Sequence, residues 1–302
     1  MRSHLSGLYK QAGLYRMAMA LLVSAVLAGC QTPHEALQQL ADEQGRALEI
    51  LQGQSYPLTL LSPRQVPTGT RLRVYLEGDG HAWITSRQPS LDPSPRNLLV
   101  ARLAANDPYP NAYLARPCQF VSAPGCKPEL WTNRRFSQEV VDSLGQALDH
   151  LKTRYGNRDF ELVGYSGGAA LALLLAAQRD DVSFVQTIAG NLSPRLWAQM
   201  KGLSPLSGSL DPLDYGDRLA AMPQRHLIGE QDSTVPGRLA DLYQQALAWP
   251  SCSLLISVAG ASHDSGWETA ASLWNLSQPE PTCFSPPQEP KPSSSIIGAA
   301  RP

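Results

Sequence analysis

Short apolar segments alternate with helical segments along most of the chain after Leu72. Strands that alternate with helices build βαβ units, in which the strands run parallel and the helices cover both faces of the sheet. We therefore predict an α/β fold with a mainly parallel, twisted sheet. A chain of 302 residues, 43% of them hydrophobic, is long enough for one large domain of this kind. The predicted strands are 72–76, 112–114, 160–163, 182–188, 225–228 and 253–258, and the predicted helices are 98–105, 136–155, 167–179, 239–247 and 267–276.

The two ends of the chain differ from this pattern. Residues 31–55 have helical spacing in part, yet 47–51 and 56–61 could equally form a hairpin that leads into the sheet. From about Pro279 onward Pro, Ser and Gln dominate, which predicts a tail with little order. The predicted organisation is a signal peptide at 1–29, an anchor or linker with a possible first hairpin at 30–55, the main domain at 56–278 and the tail at 279–302.

Residues 1–30 resemble the signal peptide of a bacterial lipoprotein. Basic residues precede the apolar run 17–28, which is too short to span a bilayer. The run ends in Leu27-Ala28-Gly29-Cys30, which resembles a lipobox and implies that Cys30 is lipidated and anchors the mature protein to a membrane. With Gln31 after the cysteine, the resemblance implies the bacterial cell envelope, at the outer membrane. An ordinary cleaved signal peptide with a chance cysteine is the alternative.

The five cysteines are consistent with an oxidising compartment. Without Cys30 an even number is left, for which three pairings are possible. The short spacing favours a local bridge between Cys118 and Cys126, which leaves Cys252 to pair with Cys283. No metal site is predicted, because a zinc site would need histidines among closely spaced cysteine pairs.

Ser166 lies in a G-x-S-x-G pentapeptide, Gly164-Tyr165-Ser166-Gly167-Gly168. The pentapeptide follows the predicted strand 160–163 directly and opens the predicted helix 167–179. In that setting the serine lies on a sharp turn at the carboxyl end of the sheet, where larger residues at the glycine positions would collide. A glycine-rich start of a helix with a solvent-facing serine is the alternative. A serine hydroxyl acts as a nucleophile only beside a base, so the motif predicts that a base lies nearby.

His263 directly follows the last predicted strand, in Gly260-Ala261-Ser262-His263-Asp264. In a sheet of parallel strands the chemistry lies in the loops that leave the carboxyl ends, so His263 is the predicted general base. His226 lies within an apolar strand and is expected in the core, whereas His81 follows a glycine-rich turn and could line a pocket. The other histidines are His4, His34 and His150.

Asp232 follows the preceding strand, in a G-x-x-D-x-x-V-P stretch that ends at Pro236. The order Ser166, Asp232, His263 resembles the α/β-hydrolase superfamily, where the chain order is serine, acid, histidine. The resemblance runs from about residue 72 to 267 and implies that Asp232 orients His263 and stabilises its protonated form. Glu230 is the alternative acid. A turn carboxylate that caps the next helix is the alternative role for Asp232.

The same resemblance implies an oxyanion hole made of backbone N–H groups. One donor is expected at Gly167, after the nucleophile, and the other at Asp79 in the loop Glu77-Gly78-Asp79-Gly80, with Gly80 as the alternative. The loop is similar to the H-G-x loop of the superfamily, but Glu77 replaces the histidine, which leaves the side-chain support of the loop open.

The resemblance implies a carboxylic-ester hydrolase that forms an acyl-enzyme on Ser166, uses no cofactor and acts on a small-molecule or lipid ester. A peptidase or thioesterase with the same triad is one alternative, and a non-catalytic envelope lipoprotein with this scaffold is another. The stretch 190–224 predicts a small lid or pocket wall and no large cap. The formal net charge of -1, without a basic cluster, argues against nucleic acid. The sequence leaves the oligomeric state open.

Overall fold

The computed structural model describes residues 31–52, 55–63, 65–248 and 252–268. The strands are β1 (Ala47–Leu51), β2 (Leu58–Ser62), β3 (Leu72–Leu76), β4 (Trp83–Thr85), β5 (Gln88–Pro89), β6 (Asn111–Leu114), β7 (Phe160–Tyr165), β8 (Val182–Ile188), β9 (Gln224–Gly229) and β10 (Ser253–Val258). The helices are α1 (Pro33–Glu43), α2 (Leu99–Asn106), α3 (Gln138–Tyr155), α4 (Gly167–Gln178), α5 (Pro194–Met200), α6 (Gly216–Ala220) and α7 (Arg238–Ala246). Short 3-10 turns form at Pro128–Trp131 and Pro212–Tyr215.

Eight strands form one sheet in the order β1-β2-β6-β3-β7-β8-β9-β10. All neighbours from β6 to β10 are parallel, while β2 is antiparallel to both β1 and β6. This mainly parallel sheet confirms the predicted fold class. The chain leaves β3 on one side to form β6 and returns to its other side to form β7. A topological switch point therefore lies at the carboxyl ends of β3 and β7, where ligand sites of such sheets occur.

Helices cover both faces of the sheet. Successive side chains of a strand point to opposite faces, so a single strand contributes to the core on each side. On β3, Leu72, Val74 and Leu76 belong to one core with α3, α4, α6 and α7, whereas Tyr75 belongs to a second core with α1 and α2. Helix α4 is buried at every residue from Gly167 to Ala176, which explains why its sequence is apolar almost all round.

The ambiguous segment 31–55 contains both of the structures that its sequence allowed. Helix α1 begins with a capping box, in which Thr32 and Glu35 each bond to the backbone N–H of the other. Strands β1 and β2 then pair as an antiparallel hairpin. The predicted signal peptide 1–29, Cys30, the helix 267–276 beyond residue 268, Cys283 and the tail 279–302 lie outside the described residues.

The small hairpin of β4 and β5 has no counterpart among the predicted elements. The stretch 190–224 folds into α5, a 3-10 turn and α6, and it forms no large cap, as predicted. Within the part of the chain that is described, no helix has the length and apolar character needed to cross a membrane.

Candidate active site

Ser166 lies on a tight turn between β7 and α4. Its backbone has φ 49° and ψ -120°, a conformation that residues with side chains rarely adopt. A Cβ on Gly164 would lie 2.4 Å from the carbonyl oxygen of Gly168, and a Cβ on Gly168 would lie 2.4 Å from that of Leu76. The glycines of the motif are therefore required for this turn to form.

The structure brings Ser166, His263 and Asp232 together at the carboxyl ends of β7, β9 and β10. His263 Nε2 lies 3.0 Å from Ser166 Oγ, and His263 Nδ1 lies 2.8 Å from Asp232 Oδ2. The Asp232 side chain is fully buried, and its other oxygen accepts hydrogen bonds from the backbone N–H groups of Thr234 and Val235. These bonds keep the carboxylate facing the imidazole.

The loop that carries His263 is held from three sides. The carbonyl oxygen of His263 accepts hydrogen bonds from the Tyr165 hydroxyl at 2.9 Å and from the Trp267 indole at 3.1 Å. The backbone N–H of Gln231 donates to the carbonyl of Ala261, which ties the loop of the acid to the loop of the histidine. The histidine is therefore positioned by both neighbouring strands and by the residue before the serine.

The alternative site residues lie elsewhere. Glu230 is exposed and accepts a hydrogen bond from Ser257, away from the imidazole of His263. His226 is buried in the core beside Thr187, and burial lowers its pKa to about 3, so it stays neutral near pH 7. His81 lines the cavity above the serine, as its position after the glycine-rich turn allowed.

The loop Glu77–Gly80 leaves β3 and packs directly against the turn of Ser166. A Cβ on Gly78 would lie 3.2 Å from Ser166 Cβ, so the two segments touch. The backbone N–H groups of Asp79, Gly80 and Gly167 donate no hydrogen bond to any of the described residues. These are the two expected donors of an oxyanion hole, Gly167 and Asp79, and the alternative donor, Gly80, and all remain available.

Glu77 supports this loop in the position where the superfamily pattern has histidine. One carboxyl oxygen accepts a hydrogen bond from the Gly78 N–H at 2.9 Å, and the other accepts one from the Tyr113 hydroxyl at 2.8 Å. Burial raises the pKa of Glu77 to about 7. Glu77 therefore supports the loop through hydrogen bonds inside the core, although it is not the histidine of the superfamily pattern.

Two arginines that the sequence analysis did not single out hold the Asp79 side chain. Arg116 Nη1 donates to Asp79 Oδ1, and Arg135 Nε lies 3.1 Å from Asp79 Oδ2. Burial alone would raise the pKa of Asp79, but the guanidinium groups of Arg135 and Arg116 together lower it. No local sequence motif predicts this cluster, because its members lie far apart in the sequence.

A disulfide joins Cys118 to Cys126 in the segment that carries Arg116. In the same segment, Gln119 Nε2 donates to the carbonyl of Gly78 at 3.0 Å, so the bridged segment also supports the Glu77–Gly80 loop. Cys252 is buried and disulfide-bonded as well. Its predicted partner, Cys283, lies outside the described residues, so that pairing stays a prediction.

A cavity of about 940 Å³ opens above Ser166. Its wall combines aromatic and aliphatic side chains from the β4–β5 hairpin and from 190–224 with several polar groups. The sequence analysis missed Asn191, which is buried and whose Oδ1 has no hydrogen-bond partner among the described residues. In the described part of the chain, no group of His, Cys, Asp and Glu side chains could hold a metal ion. The wall also includes Trp83, Arg96, Arg135, Trp197, Leu203 and Leu206.

Several solved structures share this fold. The esterase Pf2001 from Pyrococcus furiosus has a TM-score of 0.56 and 12% identity, over 82% of this chain and 93% of that one. Est1E from Butyrivibrio proteoclasticus, with ferulic acid bound, has a TM-score of 0.56 and 17% identity, over 76% of this chain and 98% of that one. TT1662 from Thermus thermophilus has a TM-score of 0.53 and 18% identity, over 76% and 97%.

No protein-family model matches the sequence, and a search of curated proteins finds no match either. At identities this low, the structural likeness shows the fold alone. The chain has the α/β-hydrolase fold.

Proposed function

We propose that this chain is a serine hydrolase that cleaves carboxylic esters through an acyl-enzyme on Ser166. The observation that carries the proposal is the hydrogen-bonded chain from Ser166 Oγ through His263 to the buried Asp232 carboxylate, at the base of the 940 Å³ cavity. A solved neighbour of the same fold is named as an esterase, which supports the same chemistry.

The geometry supports the following sequence of steps. His263 Nε2, 3.0 Å from Ser166 Oγ, accepts the hydroxyl proton while the oxygen attacks the ester carbonyl. Asp232 holds the imidazole in the tautomer that this transfer needs and stabilises the imidazolium. The N–H groups of Gly167 and Asp79 bind the oxyanion. His263 then protonates the leaving alcohol, and water repeats the attack to release the acid.

The proposed enzyme works in the bacterial cell envelope, held at the outer membrane by lipid on Cys30. The lipobox at 27–30 supports this location, and so do the disulfides, which persist in oxidising compartments. The cavity wall contains apolar side chains, which favours a small-molecule or lipid ester with an apolar part. Among these side chains are Trp83, Trp197, Leu203 and Leu206.

Labelling with a fluorophosphonate probe tests the nucleophile. Full-length protein in detergent is compared with Ser166→Ala and His263→Ala, and with His150→Ala, because His150 is an exposed histidine that bonds to Arg154 far from the cavity. We expect labelling of the wild type and of His150→Ala, and none of the other two variants. A folded wild-type protein that does not label would overturn the proposal and favour a non-catalytic binding lipoprotein.

A substrate panel then identifies the bond. Matched ester, thioester and aminopeptide substrates are compared by kcat/KM with the wild type and with Ser166→Ala. We expect the ester to be cleaved best. Faster cleavage of the thioester or of the peptide bond would replace the esterase proposal with a thioesterase or a peptidase on the same three residues.

A further inference from the structure

Arg135 presents a buried positive charge to the cavity above Ser166. The residue lines that cavity, yet only 4% of its surface is exposed. Its guanidinium lies over the rings of Phe136 and Trp197, at 5.2 and 5.6 Å from their centres. These two rings hold the guanidinium plane in place and exclude water from its faces.

The hydrogen bonds of Arg135 are incomplete. Nη1 donates to the carbonyl of Thr132 at 3.1 Å. Nε is buried and lies 3.1 Å from Asp79 Oδ2, but it is not aligned for a hydrogen bond. Nη2 donates to none of the described residues. A guanidinium carries five N–H donors, so donor capacity remains on the cavity side of this side chain.

Arg135 shares its one carboxylate contact with a second arginine. Asp79 is shared between Arg135 and Arg116, and Arg116 also donates from Nη2 to the Arg135 carbonyl at 2.5 Å. Two guanidinium groups thus face one carboxylate. Glu77, whose carboxyl is bonded to Gly78 and Tyr113, also acts on Arg116 through its charge, and His263 acts on Asp79 in the same way. Asp264 and Arg96, at the mouth of the cavity, carry opposite charges.

A buried charge without a full counter-charge is costly, and a bound anion would remove that cost. The planar fork of a guanidinium fits the two oxygens of a carboxylate particularly well. Asn191 adds a second buried polar side chain in the same cavity; its Oδ1 has no hydrogen-bond partner among the described residues and, as an acceptor, would need a donor on another part of the substrate than the carboxylate. A purely apolar substrate would leave both groups unsatisfied.

We propose that the cavity takes an ester that also carries a carboxylate, and that Arg135 binds this carboxylate while the ester bond lies at Ser166. The inference rests on the proposed hydrolase function and names its substrate class. Arg135 is then a residue that determines specificity. Its contribution appears as a preference between charged and neutral substrates and not as a general loss of activity.

Two matched substrate pairs test the inference with the full-length protein. In the first pair the carboxylate is on the acyl side, in mono-4-nitrophenyl glutarate, and 4-nitrophenyl pentanoate is the neutral match. In the second it is on the leaving group, in 4-acetoxybenzoate, and methyl 4-acetoxybenzoate is the neutral match. We expect kcat/KM to favour the charged ester at least about tenfold in one pair. Arg135→Met should abolish that preference, Arg135→Lys should keep part of it, and Arg134→Met should keep all of it.

Arg134 is a suitable control because the side chain of this neighbouring arginine is only partly buried and pairs with Glu139 outside the cavity. If Arg135→Met does not fold, a competition experiment on the wild-type protein still tests the inference. Glutarate should slow fluorophosphonate labelling of the wild type, and pentanamide at the same concentration should not. Labelling without any carboxylate preference would overturn this inference and leave the hydrolase proposal standing. Absence of labelling would overturn the hydrolase proposal itself.

Discussion

At Gly167 the backbone approaches the Asp79 side chain so closely that no other residue fits. A Cβ there would lie 2.1 Å from Asp79 Oδ1, and this carboxylate cannot swing away freely because Arg116 and Arg135 hold it. We predict that Gly167→Ala displaces the Asp79 loop and with it one of the proposed oxyanion donors. The expected loss in kcat is about 10²-fold or more, measured with the preferred ester.

The control for this prediction is Gly145→Ala, in the middle of α3. There an added Cβ meets its nearest neighbours, Arg179 and Leu175, at 3.9 Å, which is ordinary contact. Alanine has a higher helix propensity than glycine. Gly145→Ala should therefore raise the free energy of unfolding, measured with urea, by roughly 0.5–1 kcal/mol and keep the wild-type kcat. Full activity in Gly167→Ala would show that the Asp79 side chain can move without harm to catalysis.

Glu77 gives the stability of the protein a specific pH dependence. Burial raises its pKa from an ordinary 4.5 to about 7, so between these values the folded state keeps a proton that the unfolded chain has released. The contribution of Glu77 to the unfolding free energy therefore falls as the pH rises from 4.5 to 7, by roughly 3 kcal/mol. Glu77→Gln removes this loss and can still accept the hydrogen bond from Gly78.

The measurement is urea unfolding of both proteins from pH 4.5 to pH 8. The stability of Glu77→Gln relative to the wild type should increase with pH across this range. Glu230→Gln, which changes an exposed carboxyl group on a neighbouring loop, serves as the matched control. Parallel profiles for Glu77→Gln and the wild type would mean that Glu77 is ionised in the folded protein at pH 4.5–7.

Among the elements, the segment bridged by Cys118 and Cys126 contributes to the stability of the protein and also supports the loop next to Ser166. The bridge spans 8 residues of sequence, and loop-closure entropy predicts that its loss costs about 2–3 kcal/mol. Gln119 and Arg116, inside or beside the loop, bond to Gly78 and Asp79. The double variant Cys118→Ala/Cys126→Ala should therefore lose kcat as well as stability, as measured by urea unfolding and ester turnover.

Cys252→Ala is the control, because this cysteine is also disulfide-bonded but precedes β10, at the end of that strand away from His263. It should lower stability and leave kcat nearly unchanged. If both variants lost stability and neither lost kcat, the bridged segment would be a stabilising element only.

The elements that the sequence predicted well are those with long, uniform patterns. The bounds of β8 and β10 agree with the predicted strands, and α3 begins after Ser137 and ends before Gly156, where its predicted stop lies. The β4–β5 hairpin was missed because strands of two or three exposed residues have no periodicity to detect. Helix α1 did have a local signal, the capping box of Thr32 and Glu35.

The site was predictable only where its residues follow strands. Ser166, Asp232 and His263 each lie directly after a predicted strand, so their meeting follows from the parallel sheet. Arg116 and Arg135 lie in irregular segments, and their contacts with Asp79 depend on how those segments pack. Contacts of that kind carry no periodic or motif signal in a single sequence.

At the scale of the whole molecule, exposed apolar side chains gather around the mouth of the cavity. Trp83 and Leu203 line the cavity and are 41% and 49% exposed, and Ile84 beside Trp83 is 52% exposed. A smaller neighbouring cavity brings Leu91, which is 92% exposed, to Thr32, just after the predicted lipid anchor. An apolar rim next to the proposed lipid anchor would favour contact with a lipid surface.

The last prediction follows from this rim. Trp83→Ser/Ile84→Ser should lower the turnover of an ester embedded in lipid vesicles several-fold, because the rim would no longer enter the interface. Turnover of a short soluble ester should change far less. Leu254→Ser, which removes a 39% exposed leucine from the edge strand β10, should alter neither rate. Equal losses on both substrates would mean that Trp83 and Ile84 shape the cavity and do not contact lipid.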